Sequence, residues 1–169
     1  MTKFLFETSV IIDYLHGQDV AADALFRASE LGTVYISKIT LLELWLPRHL
    51  SRRRSSKPPS GQRLKQPSDE QIRQEIKRVC ALRSRLNLKI VPCSPASQEF
   101  ALTILERCHS PLGRTALPDS LLMGTGIATC DYIVTSDTKW PRVMEQLMAC
   151  NVIAVPVEVI SPVQLVRDF

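Results

Sequence analysis

The chain has 169 residues, 45% of them hydrophobic, and a formal net charge of +4. This length suits one domain with a full core, and no apolar run approaches the roughly 18 residues that a membrane-spanning helix needs. The five cysteines are odd in number and never closely paired. They therefore indicate reduced core thiols rather than a disulfide framework, and predict a soluble cytoplasmic protein.

Short apolar runs alternate with helical patterns along the chain. The predicted strands are residues 3–6, 34–36, 88–91, 132–135 and 153–160. The predicted helices follow them, beginning near Ser9, Ser37, Ser68, Ser94, Pro118, Trp140 and Ser161. The helical face that begins at Ser9 continues from Val20 and is closed by Gly32. This alternation predicts an α/β fold for residues 1–169 as a single domain. We expect three layers, α/β/α, around a central and mainly parallel sheet of about five strands.

Basic residues are concentrated in one segment. Seven of the 21 Lys and Arg residues lie between Arg48 and Lys65 with no acidic residue among them, leaving 14 basic against 17 acidic elsewhere. The same stretch contains Pro58-Pro59-Ser60-Gly61, which disfavours a helix or a central strand. We predict a flexible surface insertion at about 48–67. It is either an arm that contacts phosphates or a solvated loop without a ligand.

Four acidic residues each follow a predicted strand or lie in the first turns of the helix after one: Glu7, Glu43, Asp119 and Asp137. In an open parallel sheet such positions converge on one pole, outside the carboxyl ends of the strands. Protonation or a bound cation must relieve the repulsion between them, and oxygen ligands suit Mg²⁺ or Mn²⁺. Glu43 is the most informative of the four, because a charge among leucines is expensive to bury unless it is paired or metal-bound.

Other residues have plainer interpretations. Taken alone, Asp119 would stabilise a helix N-terminus and Asp137 would be a turn or cap residue. Asp13 is expected to be a solvent-facing helix residue. Trp140 is expected to pack in the core, although its closeness to Asp137 in the sequence leaves stacking on a base open.

Four segments, in this order, resemble the acidic motifs of PIN-domain nucleases. They are Phe4–Leu15, the helix around Glu43, Pro118–Leu122 and Cys130–Asp137. The segment Val159–Leu165 also resembles the closing strand and helix of that family. The resemblance covers nearly the whole chain outside the basic insertion, and it extends to the VapC-like toxin ribonucleases.

The resemblance implies a metal-dependent endoribonuclease that cleaves single-stranded RNA and leaves a 5′ phosphate and a 3′ hydroxyl. It implies catalytic, metal-binding roles with Mg²⁺ or Mn²⁺ for Glu7, Glu43, Asp119 and Asp137. Hydroxyls near the acids would support them through hydrogen bonds, and these belong to Thr8, Thr135 and Ser136. The candidate RNA-binding residues of the insertion are Arg52, Arg53, Arg54 and Lys57. The expected partners are RNA, a small antitoxin protein and a second copy of the chain in a homodimer.

Glu7 stands where the family has aspartate, so an alternative is a catalytically weakened PIN-like module that binds RNA or a partner protein. A phosphotransfer receiver or an aspartyl-phosphate phosphatase would also place acids after the strands of a doubly wound sheet. The receiver would need paired acids after its first strand, and the phosphatase would need an aspartate nucleophile where Glu7 stands. Both are therefore disfavoured.

Overall fold

The computed structural model describes residues 1–45, 68–108, 117–151, 153 and 157–169. The strands are β1 (Thr2–Phe6), β2 (Gly32–Ser37), β3 (Lys89–Val91), β4 (Tyr132–Val134) and β5 (Glu158–Ile160). The helices in these ranges are α1 (Thr8–Leu15), α2 (Asp19–Leu31), α3 (Lys38–Trp45), α4 (Asp69–Arg85), α5 (Pro95–Arg107), α6 (Leu117–Thr129), α7 (Trp140–Ala149) and α8 (Pro162–Asp168). None of these helices is long and apolar enough to cross a membrane.

The five strands form one parallel sheet in the order β3-β2-β1-β4-β5. From β1 the chain moves outward through β2 to β3, and then returns to the other side of β1 for β4 and β5. The strand order therefore reverses between β1 and β4. In open parallel sheets, ligands bind at such a switch point, beyond the carboxyl ends of the strands.

Helices cover both faces of this sheet. Side chains alternate along β1, so Phe4 and Phe6 enter one core while Leu5 enters the other. Buried residues of α1, α2, α4 and α8 pack with the two phenylalanines. On the opposite face, α5, α6 and α7 pack with Leu5 and Ile133. The prediction of a three-layer α/β/α fold around a parallel sheet is confirmed.

Each strand differs from its predicted bounds at one end or both, and the largest differences are in the fifth and second strands. The fifth strand was predicted over 153–160, but it covers Glu158–Ile160, with Ile153 and Val157 outside it. Residues 154–156 of the predicted strand lie outside the described residues. Gly32 does close α2, but its backbone is extended and it is the first residue of β2. A Cβ at Gly32 would overlap the backbone of Thr2, so this close strand pairing requires glycine.

The cysteine prediction is correct in part. All five cysteines are free, and Cys108 and Cys130 are buried in the core. Cys80 and Cys150 are exposed, so the expectation that they are core thiols was wrong. Cys80 lies on α4, whose residue Leu82 is buried in the core. Apolar neighbours in the sequence therefore did not reveal which side of the helix the thiol occupies.

Candidate functional site

Glu7 follows β1 directly and is the N-cap residue of α1. Its Oε2 atom accepts hydrogen bonds from the backbone N–H of Ser9 at 2.9 Å, from the Ser9 hydroxyl, and from the Thr135 hydroxyl at 3.2 Å. The residue is only 6% exposed. Burial raises the pKa of Glu7, the hydrogen bonds from Ser9 and Thr135 oppose that rise, and the negative charge of Asp119 adds to it.

Glu43 lies on α3, which begins directly after β2 with Ser37 as its cap. The hydroxyl of Ser37 accepts from the backbone N–H of Ile39 at 3.1 Å. The carboxylate of Glu43 accepts from the Thr8 hydroxyl at 2.5 Å. Because Thr8 directly follows Glu7, this hydrogen bond connects the helix after β2 to the end of β1.

Thr40 belongs to the same hydrogen-bonded group, and the sequence analysis missed it. It is fully buried, and its hydroxyl lies 3.3 Å from that of Thr8. Thr8 has one hydroxyl proton, which faces both the Glu43 carboxylate at 2.5 Å and the Thr40 hydroxyl at 3.3 Å, so the two acceptors compete for it. The available signal was a hydroxyl three residues before Glu43, on the same side of the helix.

Asp119 is the third residue of α6 and is half-buried. Its charge is close enough to Glu7 to raise the pKa of the Glu7 carboxyl. Asp137 is also half-buried and lies in the loop between β4 and α7. Its backbone N–H donates to the Thr135 hydroxyl at 3.0 Å, and its Oδ1 accepts from the backbone N–H of Lys139 at 2.9 Å. The Thr135 hydroxyl therefore contacts both Glu7 and Asp137.

Thr135 thus links Glu7 to the backbone of Asp137, Glu43 is bonded to Thr8 beside Glu7, and Asp119 is close enough to Glu7 to raise its pKa. Within the described ranges, no three or more His, Cys, Asp or Glu side chains form a group that could hold a metal ion. The chemistry of the donor set nevertheless fits a cation. A bound divalent ion would offset both the burial of Glu7 and its repulsion with Asp119, and oxygen-only donors suit Mg²⁺ or Mn²⁺. The Oε1 atom of Glu7 accepts no hydrogen bond from the described residues, which leaves it available to a ligand.

Two residues of α1 extend this network. The Ser9 hydroxyl, which donates to Glu7, also accepts from the backbone N–H of Ser136 at 3.2 Å. The Ser136 hydroxyl donates to Oδ2 of Asp13 at 2.9 Å. Asp13 is half-buried, and its exposed hydrogen bond to Ser136 is a contact that the expectation of a solvent-facing helix residue did not include. A spacing of four residues between Ser9 and Asp13 was the only signal in the sequence.

The remaining candidates are placed as follows. Arg52, Arg53, Arg54 and Lys57, with the predicted insertion at 48–67, lie outside the described residues. Trp140 is 3% exposed and packs with Val143 and Leu147 in the core on the second face of the sheet. It is therefore a packing residue, and the possibility of base stacking on Trp140 is excluded.

Comparisons with known proteins agree with this architecture. The chain is similar to one chain in the crystal structure of VapBC2 from Rickettsia felis bound to a DNA fragment from their promoter. The TM-score is 0.64 at 18% sequence identity, and the match covers 95% of this chain and 98% of that chain. This similarity shows a shared fold. No curated protein matches the sequence. The model of the PIN domain matches residues 4–146, from β1 into α7, and the chain therefore belongs to the PIN domain family.

Proposed function

We propose that this protein is a metal-dependent endoribonuclease that hydrolyses phosphodiester bonds of single-stranded RNA. The observation that carries the proposal is the buried Glu7 carboxyl beside the charge of Asp119, at the switch point of a PIN domain sheet. Burying a carboxylate next to a second one is costly unless protonation or a cation compensates. The chain belongs to the PIN domain family, and this membership supports nuclease activity as the reaction for which the cation is used.

Each residue of the site has a role in this proposal. Glu7, Glu43, Asp119 and Asp137 would hold Mg²⁺ or Mn²⁺, directly or through water. When bound, such an ion supplies charge stabilisation for a phosphodiester and activates water for hydrolysis. Hydroxyls orient the carboxylates: Thr8 donates to Glu43, and Thr135 contacts both Glu7 and the backbone of Asp137.

Binding of RNA phosphates requires positively charged side chains near the carboxyl ends of the strands. The described residues supply Lys38 and Lys139, which are exposed and follow β2 and β4. We further propose that the basic segment adds phosphate contacts through Arg52, Arg53, Arg54 and Lys57, because it concentrates positive charge without any acid.

Cleavage of labelled single-stranded RNA by the wild-type protein and by Asp119→Asn tests the proposed activity. We expect Mg²⁺ or Mn²⁺ to support cleavage to 5′-phosphate fragments and EDTA to stop it. Asp119→Asn keeps the shape of the side chain but removes its charge, and should lower the rate by about 100-fold or more, the upper range for losing a group at a metal site.

Asp131→Asn is the matched control for this assay. Asp131 is an exposed aspartate just before β4, at the opposite end of that strand, where it accepts from the backbone N–H of Lys3 at 2.9 Å. Its variant should cleave at the wild-type rate. Equal cleavage by Asp119→Asn and wild-type protein would point to a contaminating nuclease and remove the support for this site.

A second candidate function is an RNA-binding or protein-interaction module with weakened catalysis. Two observations favour it: glutamate at position 7, and the lack of a group of three metal-ligating side chains in the described part of the chain. This candidate predicts RNA binding at the same affinity with Mn²⁺ or EDTA and no cleavage. Metal-dependent turnover by the purified protein would exclude it.

We also propose that the protein is the toxin of a toxin–antitoxin pair and forms a homodimer. The fold that it shares with a chain of VapBC2 supports a small antitoxin as its partner. Co-expression with the product of an adjacent small gene should give one co-eluting complex that no longer cleaves RNA. Light scattering of the free protein should give twice the mass of one chain. Separate elution, or a monomer mass, would remove the corresponding part of this proposal.

A further inference from the structure

Helix α1 presents two hydrogen-bond acceptors to the loop after β4. Ser9 and Asp13 are four residues apart and therefore lie on the same side of the helix. The Ser9 hydroxyl accepts from the backbone N–H of Ser136 at 3.2 Å, and Oδ2 of Asp13 accepts from the Ser136 hydroxyl at 2.9 Å. One helix thus holds both the main chain and the side chain of Ser136.

Ser136 occupies a sensitive position in that loop. Its neighbour Thr135 donates to Glu7 and accepts from the backbone N–H of Asp137. Ser9, which holds the main chain of Ser136, donates to the same oxygen of Glu7. A displacement of Ser136 would therefore be transmitted to the hydrogen bonds of both acids, across the switch point between β1 and β4.

We infer that Asp13 is a positioning residue, which holds Ser136 so that Asp137 stays beside Glu7. The inferred effect on metal affinity rests on the proposed function. Asp13 acts through Ser136, whose hydroxyl donates to its Oδ2 atom. Losing a group that orients a metal ligand typically costs 10–100-fold in metal affinity. Because this hydrogen bond is exposed, we expect about tenfold, the lower end of that range.

Three substitutions separate the hydrogen bond from the charge. Asp13→Ala removes the acceptor, whereas Asp13→Asn removes the charge but keeps an oxygen that can accept from Ser136. Ser136→Ala removes the donor. Asp23→Ala is the matched control, because Asp23 is an exposed carboxylate on α2 and its loss changes the net charge by the same amount.

Hydrogen exchange on the metal-free protein tests positioning directly. The backbone N–H groups of Ser136 and Asp137 should exchange about tenfold faster in Asp13→Ala, which corresponds to the loss of one typical hydrogen bond. Asp13→Asn should remain close to the wild type. The double variant Asp13→Ala/Ser136→Ala should exchange no faster than either single variant. Unchanged exchange in Asp13→Ala would overturn the inference.

Calorimetric titration with Mn²⁺ measures the consequence for the site. The Kd for Mn²⁺ should rise about tenfold in Asp13→Ala and remain near the wild-type value in Asp13→Asn and Asp23→Ala. Equal weakening in Asp13→Ala and Asp13→Asn would assign the effect to charge and overturn a positioning role. If the wild-type protein binds no Mn²⁺, the proposed function fails, and the exchange measurement alone decides whether Asp13 positions the loop.

Discussion

Three donor groups converge on one oxygen of Glu7, two from Ser9 and one from Thr135. The carboxylate caps α1, a task usually given to the shorter side chains of Asp, Asn, Ser or Thr. The glutamate at this position therefore makes the hydrogen bond expected of a capping aspartate, and it also contacts the loop after β4. At the scale of single residues, glutamate at position 7 therefore both caps α1 and contacts Thr135.

Replacement of Glu7 by glutamine should stabilise the metal-free protein at neutral pH. Burial raises the pKa of Glu7, so the folded state binds the Glu7 proton more tightly than the unfolded state does. The contribution of Glu7 to stability is therefore full below its ordinary pKa of 4.5 and is lost as the pH rises through the raised value. In EDTA at pH 7.5, Glu7→Gln should raise the free energy of unfolding by about 1 kcal/mol, which corresponds to a Tm about 2–4 °C above that of the wild type.

Thermal melts at two pH values check this sign. The advantage of Glu7→Gln should shrink as the pH falls towards 4.5, and excess Mn²⁺ should reverse the order of the two proteins by stabilising only the wild type. Glu145→Gln, at an exposed position on α7, serves as the control and should alter Tm little at either pH. A lower Tm for Glu7→Gln in EDTA at pH 7.5 would show that the charged hydrogen bonds outweigh the cost of burial.

The close packing of α5 on α6 determines where Asp119 lies. Gly124 sits on α6 against the backbone of α5, and a Cβ there would overlap the carbonyl oxygen of Ser97. Backbone atoms cannot rotate aside as a side chain can, so the two helices must separate to accept a methyl group. At the scale of elements, the site depends on glycine five residues after Asp119.

Gly124→Ala should therefore destabilise the protein by about 1–3 kcal/mol and lower Tm by about 2–4 °C for each kcal/mol. Gly126→Ala is the matched variant on the same helix, because its new Cβ would meet side-chain atoms of Ile133 rather than backbone atoms. The loss in Gly126→Ala should be smaller. Equal Tm values for Gly124→Ala and the wild type would show that α5 and α6 adjust without cost.

Local sequence patterns predicted the helices and strands better than they predicted which side chains contact one another. Ser94 and Ser161, each followed by proline, begin helices as the sequence indicated, and the structure adds a capping box at both. Alternating strands and helices predicted the parallel sheet, because such a sheet needs helical crossovers. The hydrogen bonds of Asp13 and Thr40 were missed because each joins residues distant in the chain, and one sequence does not show which polar side chains meet.

At the scale of the whole molecule, the acidic residues of the candidate site and the basic segment are separate parts of the chain. Glu7 and Asp137 lie just after β1 and β4, while Arg52, Arg53, Arg54 and Lys57 belong to a segment of the sequence with no acid. RNA binding by such a protein should weaken with salt, because each phosphate contact releases counterions.

Neutralising the four cations to glutamine should weaken RNA binding for all sequences alike. If each contacts one phosphate, the slope of log K against log salt should become shallower by about 0.7 per lost contact on a single strand. Arg73→Gln/Lys77→Gln/Arg83→Gln/Arg85→Gln, at exposed positions on α4, removes the same four charges and should leave the slope unchanged. An unchanged slope in the fourfold variant would assign the basic segment no contact with RNA.

The central claim is that the acids at the switch point hold a divalent cation, and calorimetric titration with Mn²⁺ tests it most directly. We expect saturable binding by the wild type, with stabilisation of about 1.4 kcal/mol at tenfold the Kd. Asp119→Asn should bind Mn²⁺ at least about tenfold more weakly, as expected when a carboxylate of the metal site is lost. Asp131→Asn should bind Mn²⁺ as tightly as the wild type. No saturable binding of Mn²⁺ or Mg²⁺ by the wild type, or equal affinity in Asp119→Asn, would contradict the claim.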